Sequence, residues 1–407
     1  MAGKFQKIDI VSQAFARNPF PTYASLREAG PVFQARLPLL GKFWAATTYQ
    51  AASEVLKDDE TFVMEAKRVG KSLFSGLLRL MPLPRILRAI SDNMLARDNP
   101  DHRRLRRLVE QAFSRQSVER MRGRIGVLCD GLLDGLAGRE TVDLLAEWAR
   151  RLPVAVICEL LGLPDEDRPK FIRWTNAFAS MMSVFGLLRA LPAIFRLVKY
   201  FRQQFEQCRQ QPRPGLMTAL VQAEQDGDKL SEDEMVAMAF LLLIAGFETT
   251  VLLLSKGTLA LLKAPEQKER LLNDWSLLPS AVEELLRFVS PFSMVQPRFV
   301  SRDLEFHGQS LQRGDRIVAM LGAANADPAR FPDPAKLDLA RSPNPHLSFG
   351  SGMHFCLGAQ LARAEAQIGF ERLFTRYPRL ALAVADSELK YSGNFLRALV
   401  ALPVRLQ

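Results

Sequence analysis

One cysteine in this chain is framed for chemistry. The stretch Phe349-Gly350-Ser351-Gly352-Met353-His354-Phe355-Cys356-Leu357-Gly358 surrounds a single thiol with three glycines, and glycine permits the tight turns that wrap a backbone around one group. A helix should follow Cys356 and stop before Pro378, so the thiol sits at a helix entry. Free amides and the helix dipole favour a thiolate there. Zinc would want further Cys or His at short spacing, and the spacing here is not one of the usual zinc patterns. A lone thiolate in a glycine-rich loop suits the axial position of a haem iron. Cys129, Cys158 and Cys208 have no such frame and read as packing residues.

A second group of residues lies in Ala245-Gly246-Phe247-Glu248-Thr249-Thr250. Positions 245, 248 and 249 share one helical face by i, i+3, i+4 spacing. A threonine in a helix can bond back to the i−4 carbonyl, and Gly246 weakens the same turn. Glu248 in so apolar a helix needs a partner or a proton route, because an unpaired buried carboxylate is costly. Glu284 and Arg287 form a Glu-x-x-Arg pair one turn apart, which on an exposed helix would mean little.

The motif Phe-Gly-x-Gly-x-His-x-Cys-x-Gly resembles the haem-binding signature of the cytochrome P-450 family, the haem-thiolate monooxygenases. Ala324-Asn-Ala-Asp-Pro-Ala-Arg-Phe-Pro-Asp-Pro334 and Asn344-Pro-His-Leu-Ser-Phe-Gly350 are similar to the soluble bacterial branch, and resembling segments run from about residue 95 to 380. The resemblance implies haem b (iron protoporphyrin IX), with Cys356 as metal ligand and Phe349, Gly350 and Gly358 in the cofactor loop. It implies that His102, Arg106, Arg298 and His354 partner the haem propionates. Glu248 and Thr249 become the catalytic acid–alcohol pair for oxygen activation and proton delivery, while Thr250 packs or bonds locally. Ala245, Val295 and Phe395 become substrate-pocket positions. Glu284 and Arg287 become a buried network supporting the cysteine loop. Arg341 is the candidate third member, and Lys336-Leu337, where the family often has Arg-Phe, leaves that assignment open.

These side chains need scaffolding, and helical signals dominate. Ser231 to Glu234 is a capping-box pattern before an apolar stretch. No proline follows until Pro265, which allows a central helix of about 30 residues. Its middle, Phe240 to Ile244, is apolar all round and belongs in a protein centre. Ser280 to Glu283 is a second capping box, opening a helix that ends near Pro291. Asn99-Pro100 reads as an N-cap with proline at N1. Strand character marks Arg298 to Phe306, Gly314 to Ala319 and Leu399 to Val404, and Ala323 to Pro345 is a long Asp/Pro-rich connection. With no repeat or Gly/Ser linker, the expected fold is mainly α (α+β), a large helical region plus a smaller β-rich one. The expected organisation is a single cytochrome P-450 domain over residues 1–407.

Composition narrows the class. Hydrophobic residues are 48% and charged residues 24%, which argues against disorder, and four cysteines make no disulfide scaffold. The start, MAGKFQKIDI, reads as no signal peptide. The apolar run Val236 to Phe247 falls short of the roughly 20 residues of a membrane span. A cytoplasmic protein without a transmembrane segment is expected. Lys and Arg number 54 against 44 Asp and Glu, a net +10. No nucleotide fingerprint or iron–sulfur cysteine cluster occurs, so electrons should come from an acidic ferredoxin or flavodoxin with its reductase. Arg103, Arg104 and Arg107 are candidates for a docking face.

The expected substrates are O2 and a lipophilic small molecule, hydroxylated or epoxidised. Apolar-basic stretches at Val69 to Ile90 (Leu73, Phe74, Leu77, Leu78, Met81 with Lys71, Arg79, Arg85, Arg88) and Phe171 to Phe201 (Phe178, Met181, Met182, Phe185, Leu187, Phe195 with Arg189, Arg196) would wall its pocket. Three alternatives compete. A peroxide-driven peroxygenase would not need Glu248 and Thr249. A haem-binding sensor would not turn over substrate. A nucleic-acid binder would have no reason to frame Cys356 with glycines, and no nucleic acid is expected.

Overall fold

The central helix spans Glu232–Leu262, 31 residues, and its capping box forms as its sequence dictates. Ser231 Oγ accepts from the Glu234 amide at 3.2 Å, and the Glu234 carboxylate accepts from the Ser231 amide at 2.8 Å. Two orphan amides are satisfied reciprocally, which starts the helix at that point. By length and composition this helix is apolar enough to cross a membrane, and 72% of its most apolar window is buried inside the protein. That burial is a sufficient reason for its composition.

The computed structural model describes residues 6–37, 40–71, 90–91, 93–178, 184–225, 230–392 and 396–406. Phe395 and the pocket-wall residues Leu73, Phe74, Leu77, Leu78, Met81, Arg79, Arg85, Arg88, Met181 and Met182 lie outside the described residues, as do the side chains of Phe178, Phe185, Leu187 and Arg189. The chain divides into two compact units, the boundary falling inside the central helix after Val251. Most of the protein is helix, with a smaller β-rich part.

The first unit (Met1–Met81, Leu252–Ala359, Phe374–Gln407) holds a six-stranded sheet. Its order is Gln6–Lys7, Val32–Leu37, Gly41–Ala46, Arg316–Ala319, Arg298–Val300, Phe62–Val63. The expected strand from Arg298 to Phe306 is divided. Arg298–Val300 pairs with Arg316–Ala319, whereas Leu304–Phe306 makes a hairpin with Gln309–Leu311, turning at His307 and Gly308 with positive φ. The C-terminal strand is shorter than expected, Pro403–Arg405 beside Ala381–Leu382. Helix Tyr49–Lys57 buries Ala51, Ala52, Val55 and Leu56 in one cluster with Trp44, Phe62, Ile317 and Leu347.

Helix Leu278–Val289 begins two residues before the predicted cap. Pro279 in its first turn lacks an amide and presets φ, which suits a helix start. Ser280 then lies inside, donating to the Leu277 carbonyl at 2.9 Å, and no box with Glu283 forms. The helix stops at Ser290, which is left-handed, just ahead of Pro291. The Asn99 cap is also displaced: the helix is Asp101–Glu110, with Pro100 at the cap position and no side-chain cap bond.

The second unit (Pro82–Val251, Gln360–Leu373) is helical. Arg115–Asp134, Arg151–Leu161, Arg168–Phe178, Val184–Gln210 and Leu216–Gln225 pack on one another in turn, and Trp148, fully buried, donates to Cys129 Sγ at 3.4 Å. Phe171, Trp174, Tyr200 and Phe201 form an aromatic cluster, and the Tyr200 hydroxyl donates to Asp167 at 2.6 Å. On helix Val184–Gln210 the inner face is Ile194, Leu197, Val198 and Phe201. Phe195, 42% exposed, and Arg196 lie on its exposed face.

Candidate haem-thiolate site

The cysteine loop sits wholly in the first unit. Gly350 and Gly352 adopt φ of 69° and 70°, the left-handed region that a side chain disfavours. Gly352 is required on a second count, because a Cβ there would run into the carbonyl of Leu56 at the end of helix Tyr49–Lys57. The turn is closed by Gly350 N–H to the Leu347 carbonyl at 2.8 Å and Cys356 N–H to the Phe349 carbonyl at 2.9 Å. The following helix runs Ala359–Arg376, as expected from Pro378. Phe349 is buried, 6.2 Å from the Phe355 ring.

Cys356 is the one cysteine of four that is not buried. Burial pushes the thiols of Cys129 and Cys158 up to about 11 and about 12, which leaves them protonated and inert. An accessible thiol on a glycine turn fits an axial iron ligand, and the buried thiols do not.

The loop is anchored through Glu284, fully buried on helix Leu278–Val289. Its carboxylate takes both forks of Arg287 at 2.7 and 2.8 Å, Arg341 Nε at 3.1 and 3.2 Å, the Asn344 amide at 3.1 Å and the Asp338 backbone N–H at 3.1 Å. Arg341 is therefore the third member of the network, and Lys336 contributes only its carbonyl. Arg287 also donates to the Asn325 carbonyl at 2.9 Å. The Asn325 side chain accepts from Leu347 N–H at 2.7 Å and donates to Ser348 Oγ at 2.9 Å. Every polar group of this buried ion pair is answered, the condition under which such a pair is tolerated. Asn325, Asn344 and Ser348 were not singled out in the sequence as network members. Their only trace there is membership of the two Asn-containing segments that resemble the family.

Of the four predicted propionate partners, Arg298 and His354 belong to the first unit. Arg298 is buried, with Nη1 on Asp59 at 3.0 Å and the Phe62 carbonyl at 3.2 Å, and Nη2 on the Leu56 carbonyl at 3.1 Å. Arg298 and Gly352 thus meet at one carbonyl, which brings the arginine to the base of the cysteine loop. Its charge already has Asp59 as a partner, 239 residues away along the chain. His354 lies in a single 3-10 turn, Gly352–His354, two residues before the thiol. Val295 packs partly buried on the cluster around Trp44 and Leu347, and Gly358 is half-buried ahead of the helix.

The second unit carries the remaining candidates. His102 is buried and Arg106 half-buried on helix Asp101–Glu110, Arg106 being 3.9 Å from Glu110. Arg104 is engaged with Glu234 of the central helix cap, so it is not a free docking charge, while Arg103 and Arg107 are exposed. On the central helix, Ala245 is exposed and Ile244, Gly246, Glu248 and Thr249 are half-buried, between the buried runs 235–243 and 250–259. Thr249 donates back to the Ala245 carbonyl at 2.8 Å, and Thr250 to Gly246 at 3.0 Å. Burial raises the Glu248 carboxyl above the usual range, against the opposing charge of Arg150, so it holds a proton to higher pH than an ordinary glutamate.

The family model described as Cytochrome P450 matches residues 42–401. The chain is 40% identical over 397 residues to the polyketide biosynthesis cytochrome P450 PksS of Bacillus subtilis (strain 168), covering 96% of each chain. That protein's structure superposes with a TM-score of 0.89, covering 98% of this chain and 99% of the other. Mycinamicin IV hydroxylase/epoxidase of Micromonospora griseorubida is 38% identical over 386 residues, 94% of each chain. The structure of P450BioI in complex with an acyl carrier protein ligated to hexadec-9Z-enoic acid matches at TM-score 0.86 and 34% identity, covering 97% of this chain and all of that one.

Proposed function

This chain belongs to the cytochrome P450 family of haem-thiolate monooxygenases, and we propose that it inserts one oxygen atom from O2 into a lipophilic organic substrate by hydroxylation or epoxidation. The observation that carries the reading is the accessible Cys356 thiol on the Gly350–Gly352 turn, anchored to the Glu284 network. Haem b, bound, would supply oxygen activation at iron, with the thiolate donating electron density that favours O–O cleavage. The chain's own part is to hold and shield that group. Cys356 ligates, Phe349, Gly350 and Gly358 shape the loop, and His102, Arg106, Arg298 and His354 are the proposed propionate partners. Glu248 holds a proton beside Thr249, whose hydroxyl can leave the Ala245 carbonyl to bond elsewhere. This pair supports O2 over peroxide as oxidant.

The whole chain, residues 1–407, acts as one catalytic domain in this reading, and its setting is the cytoplasm. Ala245, Val295 and Phe395 contribute to the substrate pocket. The relatives named for polyketide biosynthesis and for mycinamicin support a bulky lipophilic substrate. The P450BioI complex supports extending that class to acyl chains on a carrier protein. Electrons come from an acidic ferredoxin or flavodoxin with its reductase, and Arg103 and Arg107 supply part of the docking charge.

The test is the carbon monoxide difference spectrum of the dithionite-reduced protein, beside Cys356→Ala. A far red-shifted Soret band that disappears in the variant is expected. Absence of that band in folded, haem-supplied wild type would overturn the assignment.

A further inference from the structure

His346 lies ten residues before the thiol, outside the groups assigned to haem, substrate or electron transfer. Its ring is held from both sides. Nδ1 faces the backbone N–H of Ser348 at 3.2 Å, and Nε2 faces Glu283 Oε2 at 3.2 Å. A backbone amide can only donate, so Nδ1 carries its lone pair toward Ser348. The proton must then be on Nε2, donated to the carboxylate. The tautomer is dictated by the neighbours, as with a histidine whose second nitrogen is oriented by a carboxylate. The side chain is 3% exposed, so these bonds face little competition from water.

Glu283 is available because the predicted capping box does not form; its carboxylate turns to His346 instead. Adjacent glutamates on helix Leu278–Val289 thereby grip successive parts of one loop, Glu284 holding Arg341 and Asn344, and Glu283 holding His346. Tyr49 adds a third grip, its hydroxyl donating to the Pro345 carbonyl at 2.8 Å. Downstream, the His346 ring packs 5.8 Å from the ring of Phe349, the residue whose carbonyl accepts the Cys356 amide. The path from Glu283 to the thiol is continuous: carboxylate, imidazole, then the Ser348 amide and Phe349 ring, then the Cys356 backbone.

We propose that His346 is a positioning residue for Cys356, a neutral clamp that fixes the Leu347–Cys356 loop through the Ser348 amide and the Phe349 ring. The proposal rests on the reading of Cys356 as the haem ligand, and its test separates the two. His346→Phe keeps a ring against Phe349 and removes both hydrogen bonds. His346→Asn returns an acceptor near the place of Nδ1. Glu283→Ala, at a partly exposed position, removes the outer grip and leaves the His346 ring in place.

Two readouts are taken on the purified haem-loaded protein. One is the share of the ferrous carbon monoxide complex with the thiolate-type Soret band. The other is hydrogen exchange of the amides from Leu347 to Cys356. In His346→Phe the thiolate share should fall and exchange at Ser348 and Cys356 should rise about five-fold, the effect of one lost hydrogen bond. His346→Asn should recover most of the Ser348 protection, and Glu283→Ala should lie between. Wild-type spectrum and exchange in His346→Phe, or in Glu283→Ala if the former does not fold, would overturn the clamp. Absence of any thiolate band in wild type would instead overturn the haem reading, leaving exchange to judge the clamp.

Discussion

Glu248 shows how a single residue's surroundings set its chemistry. The carboxyl sits beside Thr249, whose hydroxyl bonds back to the Ala245 carbonyl, and burial keeps the protonated form above the ordinary glutamate range. A proton donor of that kind works while protonated, so O2-dependent turnover should decline as pH rises through the elevated pKa. Glu248→Gln keeps the shape and removes the titration. Its turnover should fall about 10²-fold or more, the usual contribution of a general acid, with the carbon monoxide spectrum unchanged. A steady-state pH–rate profile of both proteins checks this, and an identical high-pH limb in the variant would exclude Glu248 as the titrating group. The carboxyl and threonine were legible in the sequence because polar residues stand out in an apolar helix. The Arg150 charge that opposes the shift was not, since nothing in the linear spacing links residues 150 and 248.

At the scale of elements, caps decide where helices start, and only some caps are what they look like in sequence. Ser231–Glu234 forms its box because no stronger start lies beside it. Ser280–Glu283 fails because Pro279 begins the helix first, and that failure sends Glu283 to His346. The central helix also carries an element-level cost. Lys256 is buried, its Nζ has no hydrogen-bond partner, and desolvation followed by the charge of Arg397 drives its pKa well below the lysine range. Between that lowered value and 10.5 the unfolded chain binds a proton the folded one does not, so this residue makes stability rise with pH. Glu365 on helix Ala359–Arg376 acts in the opposite sense, since burial raises its carboxyl well above 4.5 and stability falls as pH rises from there. Lys256→Met should stabilise the fold by about 1–3 kcal/mol, the penalty of a buried unpaired polar group. The melting temperature should rise by several degrees, about 2–4 °C per kcal/mol. Below pH 10.5 the stability of the variant should rise less with pH than that of the wild type, read from melting curves of both; a lower melting temperature would contradict the account.

For the whole molecule, the basic excess matters through where it is exposed. Arg104 is taken by Glu234, but Arg103 and Arg107 on the same helix are open to solvent. Arg103→Glu/Arg107→Glu should slow reduction by an acidic ferredoxin about ten-fold or more at low salt, with the difference shrinking as salt screens the charges. Stopped-flow reduction against ionic strength measures it, and equal rates and slopes would remove these residues from docking. The glycine frame of the thiol and the long central helix were readable from sequence as local patterns of backbone freedom and capping, whereas the buried setting of Glu284 and Arg287 was legible only through the family resemblance, since their spacing suits an exposed pair equally well. The partners of Arg298, Asn325 and His346 were decided only by tertiary structure. Asp59 meets Arg298 across 239 residues and His346 meets Glu283 across 63, and hydrogen bonds between such distant groups depend on how sheet, helices and loop pack, which no local spacing encodes.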